Sequence, residues 1–355
     1  MSTTVSRRAS RIIWVDVLRI LGAALIFVYH FSRDYQFTFG MGKPSPGMAL
    51  VTDQFALIGI SLFVILSGLS YYLSKRPGHS GFAEYRRRIG RLLLPLWVIG
   101  VPYVIAGLAL GEMSANELWK LPFWFLGLGV VSPATYLPVS AAWWYVTLAV
   151  QCVLILPVVW LLTDRIGITA GVIALALVEF ATLALIGLLP PAWHYLVQGL
   201  VFARLIEIAV GIIAAAACRR LIGAWKALGL CILAIAASLL AQQLGAITPA
   251  WIVSGWAIAT AGLAFALGAG SHPSAAFLTS IAVATYPFYL VHSPIVKNVI
   301  HLFARAGISS YAMLMAAAAL LACLATALVV WLVTLIGNLG GPMRGDPAPE
   351  RSASL

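Results

Sequence analysis

Apolar runs long enough to cross a lipid bilayer recur from one end of this chain to the other, and little else restricts a fold so strongly. A helix needs about 20 mostly apolar residues to span the hydrocarbon core. Such runs lie at roughly 12–31, 55–74, 92–110, 142–162, 168–189, 195–217, 226–244, 250–269, 276–300 and 311–337. They make the fold an all-α integral membrane protein with about ten transmembrane helices. Composition agrees: 62% of the 355 residues are apolar and 9% are charged. Soluble domains hold about 45–50% and about 25% respectively. Too little polar material is left to cover a water-facing surface.

The parts outside the spans are small. Met1 to Arg11 is a basic N-terminal segment leading into an apolar run that carries Arg19 and lacks a small-residue cleavage site. It reads as an uncleaved first span rather than a signal peptide. Residues 12–337 form one ten-span domain, and the Pro-rich stretch within 338–355 reads as a disordered tail. Pro122 to Val131 is apolar but too short to cross, so it lies at the interface or re-enters between helices. Cys152, Cys218, Cys231 and Cys323 are scattered. No pair has metal-ligand spacing or suggests a disulfide framework, and no metal is expected.

The net charge of +11 invites a nucleic-acid reading, which the placement of the charges argues against. Arg7, Arg8 and Arg11 precede the first span. Lys75, Arg76, Arg86, Arg87, Arg88 and Arg91 join the second to the third. Arg165 follows the fourth, Arg219, Arg220 and Lys226 follow the sixth, and Arg344 and Arg351 lie in the tail. With ten spans all of these fall on one side, and the other side receives only Arg33, Lys43, Lys120 and Arg305. The excess marks the cytoplasmic side, which places both termini there and leaves no reason to expect nucleic acid as a partner.

Ionisable groups inside a span are costly, so each needs a partner or a role. The first span holds Asp16, Arg19 and His30. Eleven steps of about 100° come to about 1100°, three turns plus about 20°, so Arg19 and His30 share a face about 16 Å apart along the axis. Asp16 stands one turn from Arg19 and can pair with it. An interfacial Arg–Asp pair beside an unrelated histidine fits the same spacing. Arg204 and Glu207 stand one turn apart in the sixth span, where they neutralise each other as a structural pair or as part of a site. His292 shares a face with Tyr286 and Tyr289 at three-residue steps and reads as a packing residue or a site residue. His79, His194, His272 and His301 fall in loops or at span ends and read as solvated. Trp143, Trp144, Trp193 and Trp251 are at span ends, where an aromatic belt accounts for them.

Five segments, taken in order, resemble the acyltransferase-3 family. Asp16-Val17-Leu18-Arg19, ten residues and then His30 resemble its opening signature. Phe63 to Leu69, with Ser67-Gly68 inside, is similar to the Phe-x-x-Ser-Gly segment ending its second span, with one more residue between Phe and Ser. Arg88, Arg91 and Leu92, with Pro95 three residues on, resemble the Arg-x-x-Arg-Leu-x-x-x-Pro opening of its third, one residue shorter before the proline. Arg204, Glu207 and Gly211 resemble the Arg-x-x-Glu-x-x-x-Gly of its sixth, and Tyr286 to Pro294 resembles its Tyr-x-x-Tyr-Leu-x-His-x-Pro ninth. Trp144 to Gln151 with Pro157 follows a pattern of one branch, but Ala149 stands where that branch has Glu and Val153 where it has Tyr.

The resemblance implies an enzyme of the bacterial inner membrane. It would move an acyl group, usually acetyl, from cytoplasmic acyl-CoA to a hydroxyl of an extracytoplasmic carbohydrate, polysaccharide or glycolipid. It implies no permanently bound cofactor; acyl-CoA is a substrate, and the bilayer, the donor and the acceptor are the partners. His30 is the expected base or acyl carrier, since a neutral imidazole takes a hydroxyl proton near pH 7. Arg19 is expected to orient or stabilise the donor. Arg88 and Arg91, with Ser67 and Gly68, are expected at the donor, where guanidinium forks suit phosphates. Asp16, Trp144, Tyr145, Arg204, Glu207, Tyr286, Tyr289 and His292 are expected to line the substrate site. A transporter or lipid flippase is the competing class, and no repeat symmetry supports it. The topology has a direct check. Reporters fused at Ser80 and Ile222 should read cytoplasmic and those at Ser45 and Ala246 external; an external signal at Ser80 overturns the ten-span model.

Overall fold

The computed structural model describes residues 13–40, 46–74, 82–111, 113–129, 141–194, 199–219 and 275–339, with single positions between 221 and 233. The spans expected at 226–244 and 250–269 lie outside the described residues but for those single positions. So do the N-terminal segment, most of the tail, Lys75, Arg76, His79, His272 and Trp251.

The described residues are helical, with no strand among them. In chain order they form α1 (Ile13–Thr38), α2 (Pro46–Ser74), α3 (Phe82–Ala109), a 3-10 turn (Ala115–Lys120) and a short α4 (Leu121–Phe125). Then follow α5 (Trp144–Ile166), α6 (Ile168–Gly187), a 3-10 turn (Val201–Arg204), α7 (Leu205–Cys218), α8 (Ala275–Arg305) and α9 (Tyr311–Leu339). Among the described residues six helices are long and apolar enough to cross a membrane: Ile13–Thr38, Tyr85–Ala109, Trp144–Ile166, Ile168–Gly187, Val201–Cys218 and Tyr311–Asn338. The apolar stretch of α2 is the shorter Ile58–Ser74. Helix α8 covers the run expected at 276–300 but is not one of the six.

Helix ends depart from the apolar runs in three places, for one reason. Hydropathy marks where hydrocarbon begins, whereas a helix continues as long as its hydrogen bonds and side-chain contacts hold. Helix α1 runs on past position 31 to Thr38, secured by Ser32 against the Tyr311 hydroxyl at 2.9 Å and by Tyr35, which donates to the Ser309 carbonyl. Helix α3 begins at Phe82, so Arg86 to Arg91 lie on a helix and not in a loop. The sixth span is a 3-10 turn followed by only 14 residues of α-helix, which puts Arg204 at the helix start and Glu207 in its first turn.

Five helices close into a ring. Helix α1 packs on α2, α2 on α5, α5 on α3, α3 on α8, and α8 returns to α1. Helix α7 braces α2 from outside, α6 braces α7 and α5, and α9 covers α8 and α3. Segment 115–129 does not cross. Trp124 is buried there, and Trp97 on α3 donates to the Phe125 carbonyl at 2.7 Å, so the segment tucks back against the bundle.

In lipid there is no hydrophobic drive between helices, so close packing must hold them together. The α2–α7 crossing shows how. A Cβ added to Gly68 would lie 2.6 Å from the Ile208 carbonyl oxygen, and one added to Gly211 would come closer still to that of Ile65. The backbones touch because neither residue has a side chain. Gly211→Val should therefore cost about 1–3 kcal/mol, as overpacking does, and lower the unfolding temperature in detergent. Gly90→Ala, with nothing within 4 Å of the added carbon, should not. Equal unfolding temperatures for the two would refute the tight crossing.

Candidate functional site

The ring encloses a cavity of about 340 Å³. Arg19 comes from α1, Ser67 and Ser70 from α2, Arg88 and Arg91 from α3, Tyr145, Ala149 and Cys152 from α5, and Tyr286 and Tyr289 from α8. The basic mouth is built from helix ends. Arg19 donates to Ser70 Oγ at 3.1 Å and pairs with Asp16 at 3.4 Å. Asp16 also accepts from Thr279 at 2.9 Å, which ties α1 to α8. Arg88 donates to Ser74 Oγ at 2.8 Å and lies 4.7 Å over the Tyr71 ring. One helical turn separates Arg88 from Arg91, so both present to the same mouth. Nearby, Arg219 donates to the Leu73 carbonyl at 2.7 Å.

The inner end of the cavity is aromatic. Tyr145 and Tyr289 meet edge to face at 5.3 Å, and Phe63 packs on Tyr145 at 5.7 Å. Tyr286 anchors this wall by donating to the Leu92 carbonyl on α3 at 2.8 Å. Beyond Tyr289 by one turn of α8, about 4.5 Å of rise, comes His292, with its ring centroid 5.6 Å from that of Tyr289. His292 in turn lies 5.1 Å from His30 on α1. Two histidines separated by 262 positions in the chain thus form one pair, enclosed by Phe27 and Phe288.

This geometry sorts the expected residues. Arg19, Ser67, Arg88, Arg91, Tyr145, Tyr286 and Tyr289 line the cavity together. His30 and His292 stand just past its inner end. Gly68 lies off the lining, at the α2–α7 crossing. Trp144 also lies off it, edge-on to Tyr145 at 6.5 Å. Arg204 and Glu207 form a buried pair at 2.7 Å on the far side of α2, where Ser61 donates to Glu207 at 2.5 Å. Among the described residues no group of three His, Cys, Asp or Glu side chains is placed to hold a metal ion.

One comparison decides the family. The family model for the acyltransferase-3 proteins, described as an acyltransferase domain, matches residues 12–335. The chain belongs to the acyltransferase-3 family. That family is made up of acyltransferases, so the chain is a membrane enzyme that transfers acyl groups. No curated protein and no solved structure matches it.

Within this acyltransferase-3 fold, Ala149 and Val153 both line the cavity. Those are the positions where one branch carries Glu and Tyr. Alanine at position 149 adds no carboxylate of its own to this wall.

Two residues escaped the sequence reading. Trp143, assigned there to an aromatic belt, is 2% exposed and donates from Nε1 to the Leu290 carbonyl at 2.9 Å. That carbonyl is free because Pro294, four residues on, has no N–H to give it. Glu179 is the other, a lone carboxylate in the apolar α6. Its Oε2 accepts from the Ile206 amide at 2.5 Å, at the start of α7, where no side chain of α7's own cap does so. A charge at a helix N-terminus is the expected place for a carboxylate. The signal was present in the sequence, since an ionisable group inside a span calls for a partner. Glu179→Leu should leave that amide unsatisfied and cost about 1–3 kcal/mol. Glu179→Gln keeps an acceptor oxygen and should lose less. Thermal unfolding in detergent reads the difference, and a Leu variant as stable as the native chain would rule out the cap.

Proposed function

We propose that the enzyme moves an acyl group, acetyl in the simplest case, from cytoplasmic acyl-CoA to a hydroxyl of an extracytoplasmic carbohydrate, polysaccharide or glycolipid. The observation that carries this reading is the alignment of a cationic cavity with a histidine pair one helical turn past its inner end. Coenzyme A suits that layout, with its phosphates at one end of a long pantetheine arm and its thioester at the other. Arg88 and Arg91 would hold phosphates at the mouth through charge-assisted bonds. Arg19 and His30 are about 16 Å apart along α1, too far for both to act on the same atoms. Arg19 therefore handles the donor, and His30 serves the reacting end.

The chemistry follows from that division. His30 takes the proton of the acceptor hydroxyl, the hydroxyl oxygen attacks the thioester carbonyl, and the thiolate leaves to be protonated as free CoA. A single-domain arrangement of ten spans with both termini in the cytoplasm, in a bacterial inner membrane, puts the basic mouth where acyl-CoA is found. The direction of the helices supports that count. Helices α1 and α8 run parallel, matched at Asp16 with Thr279 and at His30 with His292, as a first and a ninth span must.

Radiolabelled acetyl-CoA and the full-length protein in membranes test the proposal. His30→Gln should lose transfer by about 10²–10⁴-fold, the usual loss for a general base, with donor binding intact. Arg88→Ala or Arg91→Ala should weaken donor binding by about 1–3 kcal/mol, and Lys should only partly restore it. A native protein that neither cleaves acetyl-CoA nor transfers its label would refute acetyl-CoA as the donor.

A further inference from the structure

We propose that His292 is a positioning residue that fixes the tautomer of His30. The proposal rests on the reading that His30 is the group acting on the acceptor hydroxyl. It starts from hydrogen-bond chemistry on α8. His292 Nδ1 lies 2.6 Å from the Tyr289 carbonyl oxygen. A carbonyl can only accept, so Nδ1 carries the hydrogen and, in the neutral ring, Nε2 carries a lone pair. That Nε2 is buried and has no hydrogen-bond partner, in a residue 1% exposed. Buried acceptors of this kind are rare unless something is due to fill them.

The polar ring against it is His30, with 5.1 Å between centroids and 57° between planes. That separation is short enough for one N–H···N bond once the rings turn toward each other. The other rings around His292 are Phe27, Phe288 and Tyr289, and the two phenylalanines offer no donor. His292 thus asks for an N–H from His30. Meeting that demand leaves the second nitrogen of His30 with its lone pair for the hydroxyl. The logic is that of a base held by a third group, here with a neutral acceptor in place of a carboxylate.

The step balances with His292 as a spectator of the covalent change. The hydroxyl proton moves to the free nitrogen of His30. The hydroxyl oxygen bonds the acyl carbon as the carbon–sulfur bond breaks, and the thiolate sulfur then takes the proton from His30. His292 keeps its own proton on Nδ1 throughout and stabilises the His30 imidazolium by accepting its other N–H.

Two measurements on the full-length protein test this. In ¹⁵N-histidine spectra, with His30 assigned among the six histidines by its loss in His30→Gln, the native His30 should show one neutral tautomer; a mixture overturns the proposal. This readout needs no turnover, so it separates failure here from failure of the transfer reading, which a native protein inactive on acetyl-CoA would reveal. In the kinetics, His292→Leu should lower kcat by about 10–100-fold with KM for acetyl-CoA unchanged, less than loss of the base itself. His292→Gln places an amide oxygen near the Nε2 position and should restore most of that loss. A Gln variant as poor as Leu would reduce His292 to packing, and a change confined to the KM for the acceptor would make it a substrate contact instead.

Discussion

The contact on which the site depends is the parallel run of α8 along α1. It is fixed at three levels. Thr279 donates to Asp16 at one end, Phe27 and Phe288 pack at 5.8 Å in the middle, and Tyr35 donates to the Ser309 carbonyl just past the far end of α8. Side chains three and four residues apart share a helix face, so this register repeats from turn to turn. It places His292 against His30 and Tyr289 against the cavity. A slip of one residue would rotate His292 by about 100° away from α1, and the histidine pair would be lost.

Around that seam the membrane sets the terms for every polar group. Hydrocarbon offers no water to a broken backbone bond or an unpaired charge. The freed carbonyl of Leu290 takes the Trp143 indole, the open N-terminus of α7 takes the Glu179 carboxylate, and Arg204 takes Glu207. The first two devices also tie together helices that would otherwise slide: the start of α5 to α8, and α6 to α7. The same economy makes the unpartnered Nε2 of His292 conspicuous. Arg204 and Glu207 also keep atoms without hydrogen-bond partners, but inside an ion pair; the open atom of His292 lies beside the residue expected to do chemistry.

The basic mouth and the histidine pair belong to opposite ends of one path. Tyr145 and Tyr289 stand between them, edge to face. The path therefore has a charged end, lined by Arg19, Arg88 and Arg91, and an apolar end, where aromatic rings surround the two imidazoles.

The sequence by itself determined the all-helical membrane class, the apolar runs and the family, because hydrophobic length and short ordered motifs are local properties. It also placed Arg19 and His30 on one face of one helix, since helical periodicity alone sets that angle. What only the tertiary structure decided was which helices meet. Nothing local says that α1, α2, α5, α3 and α8 close a ring, that Gly68 serves a helix crossing, or that Arg88 and Arg91 ride on a helix rather than a loop. Trp143 and Glu179 were misjudged or passed over because their partners, Leu290 and Ile206, lie 147 and 27 residues away. The pairing of His30 with His292 is the extreme case. Each reads in sequence as a lone histidine on an apolar face, and only helix packing, which depends on the shapes of whole surfaces, brings the two rings together.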